Sequence, residues 1–211
     1  MSVWWQTLFL LGCVLNCVES SAPSSLRNKY NTSFRLAKST RTRVQQLLRR
    51  YKVQQLGNMH FEDRSQQLRD LPFLSTDFNK WLQLSDWDRL HAAFWDVRAY
   101  WNMLEGKRKQ LENEEKEQMV VRSAPTTLPQ SIKHVQLDLR DLMSKVSRQM
   151  SSMRESWIKP TPSTVHLNSG PSTKTLWDSR VEGYIILRDL DLYLTKLARD
   201  FLLLASKSKQ K

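Results

Sequence analysis

TLWDSRVEGYIILRDLDLYLTKLARDFLLLAS, residues 175–206, is the stretch whose reading decides the fold. Its large apolar residues fall at Tyr184, Leu187, Leu190, Leu194, Leu197, Phe201 and Leu204. Spacings of three and four put them on one stripe of a helix, and such a stripe needs partners to bury it. Thr175 and Asp178 have the spacing of a capping box at its start. Trp177, Arg180 and Gly183 form a separate group at the helix entrance, off the main stripe. Trp and Arg are enriched where interfaces concentrate their energy, so this helix reads as core behind and recognition element at its tip.

Partners for that stripe lie upstream. A first helical pattern, about 26–56, carries Tyr30, Phe34, Ala37, Val44, Leu48 and Tyr51, interrupted by Arg41 and stopped by Gly57. A second, about 86–118, opens at Ser85 with Asp88 three residues on. It repeats Trp87, Leu90, Phe94, Val97, Trp101, Leu104 and Leu111, the strongest periodicity in the chain. A third, about 128–156, starts with Thr127 and Gln130 as a capping box and Pro129 in the first turn. Its stripe is Leu128, Ile132, Val135, Leu139, Leu142, Val146, Met150 and Met153. With the last helix at about 176–206 and no strand alternation of useful length, the fold class is all-α.

The connections carry the topology. About nine residues separate the second and third helices, whereas 28 (57–84) and 18 (157–174) form the other two links. A helix of that size is roughly 45 Å long at 1.5 Å per residue, and 18 extended residues reach about 60 Å. Both long links can therefore return the full length of a helix. Two long crossovers around one short link favour an up-up-down-down four-helix bundle over an up-down-up-down one. The 57–84 link contains Pro72 and the aromatics Phe61, Phe73, Phe78 and Trp81; at that length it is expected either to be functional or to carry short structure of its own, and its aromatics suggest that it packs onto the helices.

The N-terminal run VWWQTLFLLGCVLNCV is too short to span a bilayer comfortably and is followed by small residues, so residues 1–22 read as a secretory signal and 23–211 as the bundle. Both cysteines, Cys13 and Cys17, belong to that run. Asn31-Thr32-Ser33 is a glycosylation sequon, which fits a secreted chain. Lys and Arg outnumber Asp and Glu by 33 to 21, a net charge of +12, and removing the first 22 residues deletes only Glu19 and leaves +13. The excess favours acidic partners, and a secretory route argues against nucleic acid among them. Most of the cations are spread along helix faces, where solvation is the default.

Chemistry has little to build on. His60, His91, His134 and His166 are dispersed, the five glycines are far apart, and no nucleophile–base pair or metal-ligand spacing is present, so neither an enzyme nor a bound metal or cofactor is expected.

At the entrance of the last helix, W-D-S-R-V-E-G, residues 177–183, resembles the F-x-x-K-x-x-G entrance of the same helix in the ciliary neurotrophic factor, leukaemia inhibitory factor and cardiotrophin branch of interleukin-6-type helical cytokines. The second helix, WDRLHAAFWDVRAYWNMLEGKRKQLE, is similar to theirs in aromatic pattern and placement. The resemblance implies a secreted cytokine, acting as a monomeric ligand, in which Trp177 and Arg180, with Gly183 beside them, engage a chain of the leukaemia inhibitory factor receptor type. Trp stands for Phe and Arg for Lys, which keeps the chemical type while exchanging a point charge for a planar fork. It also implies a second face, on the first and third helices, for a signalling receptor of the glycoprotein 130 type. Arg43, Arg50, Arg140 and Arg148 are its candidates. A non-signalling alpha receptor and heparan sulfate are further candidate partners. The alternative is a secreted basic amphipathic-helix protein that binds lipid or sulfated polysaccharide, and an uncleaved N-terminus would favour an intracellular helical adaptor.

Overall fold

The computed structural model describes residues 22–72, 77–117, 126–153 and 175–208, with the side chains of 22–24 left out. Residues 1–21 of the expected signal segment, His166 and the second long connection lie outside these residues. Among the described residues the chain is all-helical, with α1 at Ala22–Leu56, α2 at Phe78–Gln83, α3 at Asp86–Glu117, α4 at Leu128–Ser151 and α5 at Leu176–Lys207. No described helix is long and apolar enough to cross a membrane.

Local chemistry sets the boundaries. Gly57, at φ 67°, takes the left-handed conformation that ends α1, and the Asn58 N–H then donates to the Lys52 carbonyl at 3.3 Å. Ser85 caps α3, its hydroxyl accepting from the Asp88 N–H at 3.0 Å and donating to the Asp88 carboxylate at 2.6 Å. Thr127 with Gln130 and Thr175 with Asp178 form reciprocal capping boxes at the starts of α4 and α5. The expected third helix reached 156, whereas α4 ends at Ser151 and turns at 152–153; residues 154–156 are outside the description. The 57–84 connection supplies the extra element α2, capped by Asp77.

The stripes meet in one core. Every expected stripe residue of α5 is buried, and Val181, Ile185, Ile186 and Tyr193 are buried with them, so α5 is apolar over a wider arc than its main stripe. On α4 the stripe is buried as far as Met150, while Met153 is exposed. On α1, Leu47 and Thr40 lie in the core, and Arg41 stands beside it, its Nε donating to Asp191 at 2.9 Å. On α3, Tyr100 takes a core place while Trp87 and Trp101 are only partly covered.

α1 packs on α5 and α4, and α3 packs on the same two helices. Residue pairs across these interfaces run in opposite order. Arg41 meets Asp191 and Tyr51 meets Arg180 between α1 and α5, while Ser33 meets Gln149 and Arg50 meets Ser131 between α1 and α4. Arg89 meets Asp200 and Lys107 meets Ser179 between α3 and α5. These three pairs of neighbours are antiparallel. The C-terminal end of α1 and the N-terminal end of α5 therefore lie together, and the start of α1 lies by the end of α5.

Candidate functional site

The entrance of α5 is built by its cap and by the connection that follows α1. The Thr175 hydroxyl accepts from the Asp178 N–H at 3.1 Å, and the Asp178 carboxylate accepts from the Thr175 N–H at 3.1 Å, which fixes the direction of the first turn. Trp177 leaves that turn half exposed, at 50%. Its ring meets Phe61 edge-on at 6.0 Å, and Phe61 meets the buried Tyr184 edge-on at 5.0 Å. Phe61 is brought there by the turn after Gly57, its N–H donating to the Asn58 carbonyl at 3.2 Å.

Cations surround this aromatic step. Lys52 lies 5.4 Å and Arg188 6.0 Å from the Tyr184 ring centre. Arg188 also donates to the carbonyls of Asp63 and Gln66 and to the Asp189 carboxylate, so it straps residues 63–66 to α5. Hydrogen bonds from the Ser65 hydroxyl and N–H hold the Asp63 carboxyl below its usual range. The step is thus a ridge of Trp177, Phe61 and Tyr184 fixed at both its helix and its loop side.

Arg180 is half-buried one turn on. Its carbonyl accepts from the Tyr51 hydroxyl at 3.0 Å, while its Nε is buried without a hydrogen-bond partner among the described residues. Burial pushes the Tyr51 phenol well above its ordinary value, with Glu114 and Glu182 adding to the rise and the Arg180 charge opposing it.

Gly183 does not share this exposure. It is buried, and a Cβ there would lie 2.1 Å from Tyr51 Oη, 2.6 Å from Tyr51 Cζ and 3.1 Å from Lys107 Cδ. The close approach that the glycine permits is that of α1, so Gly183 belongs to the helix contact behind Trp177 and the half-buried Arg180 rather than to an exposed surface.

The four candidates for a second face divide in two. Arg43 pairs with Asp138 at 2.8 Å, and Arg50 donates to the Ser131 hydroxyl at 2.8 Å and to the Thr126 carbonyl. Both tie α1 to α4, Arg43 remaining exposed and Arg50 half-buried. Arg140 is well exposed beside Asp141 at 3.9 Å, and Arg148 is exposed and bonded to Ser144 of its own helix. The sequon lies inside α1: Asn31 is half-buried, and the Ser33 hydroxyl is fully buried, donating to the Lys29 carbonyl and accepting from Gln149 Nε2 at 2.8 Å.

A second polar centre was not anticipated. Arg89 is fully buried and pairs with Asp200 at 2.6 Å, while the Trp81 indole N–H donates to the same carboxylate at 2.7 Å and Lys196 reaches its other oxygen at 3.2 Å. Arg89 also donates to the Trp81 carbonyl at 2.6 Å, so α2 is pinned over α3 and α5. The available signal was Asp200, an acid set between Leu197 and Leu204 on the edge of an apolar stripe. Among the described residues, no group of three or more His, Cys, Asp and Glu could hold a metal ion.

No protein-family model matches the chain, and no curated protein matches its sequence.

Proposed function

We propose that the chain is a secreted four-helix cytokine of up-up-down-down topology that brings two receptor chains together and has no chemistry of its own. The observation that carries this reading is the half-exposed Trp177 at the capped entrance of α5, with Phe61 edge-on beside it and Arg180 one turn away. A large indole held by a helix cap and an aromatic neighbour loses little rotamer freedom on binding, which suits an interface anchor. The antiparallel order of α1 with α4 and α5, and of α3 with α5, supports the topology, with the long links as crossovers.

In this reading Trp177 and Arg180 engage a receptor of the leukaemia inhibitory factor receptor type. The α1–α4 face, where Arg140 and Arg148 are exposed, engages a signalling chain of the glycoprotein 130 type. One rigid bundle holding both receptors raises the effective concentration of each near the other. The stripes of α1, α3, α4 and α5 are buried against one another, which disfavours the alternative of helices that open onto lipid.

The test is binding of the purified secreted chain to the immobilised ectodomain of the leukaemia inhibitory factor receptor, beside the double variant Trp177→Ala with Arg180→Ala. The reading expects wild-type binding that is lost in a double variant of unchanged helicity. Absence of binding by the folded wild type would remove this receptor from the proposal.

A further inference from the structure

At the other end of the bundle from Trp177, where α1 begins and α4 ends, a groove of about 600 Å³ lies between the two helices. Three cations line it: Lys29 from α1, and Lys145 and Arg148 from α4. No carboxylate lines it among the described residues, and Asp141, one helical turn from Lys145, stands beside Arg140. Ser25, Asn28 and Thr32 supply hydroxyl and amide groups along the α1 wall. Gln149 completes the lining. It is almost fully buried, its Nε2 donates to Ser33 and to the Lys29 carbonyl, and its Oε1 has no hydrogen-bond partner among the described residues.

We infer that this groove binds a sulfated polysaccharide chain, with Lys29, Lys145 and Arg148 taking sulfate groups and the neutral polar residues taking sugar hydroxyls. Three cations with no acid among them concentrate positive potential in a cleft whose low-dielectric walls focus it. Arg and Lys both donate charge-assisted hydrogen bonds to such oxyanions. The remaining lining selects among polyanions. Among the described residues it contains no aromatic side chain on which bases could stack and no aliphatic one to enter a bilayer. Hydroxyl and amide groups, by contrast, match a ligand that carries its own hydroxyls. The inference is independent of the Trp177 receptor site, which occupies the opposite end of the molecule, while Arg148 is shared with the proposed second receptor face.

The experiment compares the full secreted chain with two triple variants of equal charge. One carries Lys29→Gln, Lys145→Gln and Arg148→Gln. The other carries Lys38→Gln, Arg49→Gln and Arg199→Gln, all exposed and outside the groove lining. Helicity and thermal unfolding are checked for each. The probes are a heparin-derived oligosaccharide, its desulfated form, and vesicles containing phosphatidylserine. The groove variant should lose about tenfold or more in oligosaccharide affinity, equivalent to one or two charge-assisted contacts, while the control triple loses much less. Desulfation should abolish binding, and Trp177→Ala should leave it unchanged. Equal losses in the two triples would make the binding a property of net charge and overturn the site. So would failure of the folded wild type to bind the oligosaccharide. Vesicle binding that depends on the groove while oligosaccharide binding does not would assign the groove to lipid and overturn the proposal as well.

Discussion

Tyr51 and Gly183 are a single packing unit: the phenol ring of α1 fills the space that any side chain at position 183 would need. Gly183→Ala should therefore destabilise the fold by about 1–3 kcal/mol, the range for overpacking a filled interior, despite the better helix propensity of Ala. Combining it with Tyr51→Phe, which removes the nearest atom, should cost less than the two changes summed, as residues in contact couple. Urea midpoints of the four proteins measure this, and additive costs would place the strain elsewhere. Trp177 makes the opposite prediction. Trp177→Ala should lower receptor affinity by about 2 kcal/mol, the level of an interface hot spot, with the unfolding midpoint nearly unchanged. If the same substitution unfolds the bundle, the contact with Phe61 is structural and the docking assignment fails. The exposure of Trp177 was legible from its place in the first turn of α5, beside the Thr175 cap, although seven residues before Tyr184 it is in register with the stripe. The role of Gly183 was not: its place four residues before Leu187 and seven before Leu190 puts it on the buried side, but its partner Tyr51 stands on another helix.

At the scale of elements, legibility followed the range of the interaction. The caps at Ser85, Thr127 and Thr175 are made by residues three apart, so sequence located the starts of α3, α4 and α5. Periodicity likewise located the core of α4 from Leu128 to Met150. Its blind spot was the polar residue that enters the core with a distant partner. Arg89, beside Leu90, and Lys107, beyond Gly106, read as solvated cations; both are buried, Arg89 on Asp200 and Lys107 on the hydroxyl and carbonyl of Ser179. The hydrogen bonds from Arg89 and Trp81 to Asp200 make α2 depend on that carboxylate. Asp200→Ala leaves the Arg89 charge without its partner, and breaking a buried pair in this way costs about 3–5 kcal/mol. Asp200→Leu combined with Arg89→Met should recover much of that loss, because no buried charge then remains. Guanidinium unfolding of the single and double variants provides the comparison, and a single variant that loses less than 1 kcal/mol or so would mean that water reaches the Arg89 head group. Release of α2 should accompany the loss, read as faster proteolysis within residues 77–85 while the rest of the chain stays resistant.

For the whole molecule, the lengths of the links and the stripes were enough to give four long helices and one core, but they could not say which large side chains meet inside it. Five of those are phenols, one of them Tyr184 near the entrance of α5. Of the other four, Tyr30 and Tyr51 come from α1, Tyr100 from α3 and Tyr193 from α5, and the rings of Tyr100 and Tyr193 are 5.2 Å apart. Burial raises all four: Tyr30, with help from the Asp86 charge, to about 12, and the other three further still, Tyr100 and Tyr193 also under the influence of Asp96. An unfolded phenol ionises near its ordinary value of about 10. Below that pH both states hold the proton and the fold keeps its full stability. Above it the unfolded chain loses protons that the folded chain retains, so stability falls with rising pH, up to about 12 for Tyr30 and beyond it for the others. Because the phenols belong to three helices that share one core, their ionisation should be inseparable from loss of that core. An alkaline titration should therefore show tyrosinate absorbance from these residues rising together with the loss of helical circular dichroism, and the urea midpoint should decline steadily from pH 10 upward. Ionisation of these four phenols near pH 10 with helicity intact would mean that water already reaches them, and the tight contact of α1 with α5 at Tyr51 and Gly183 would have to be abandoned with it.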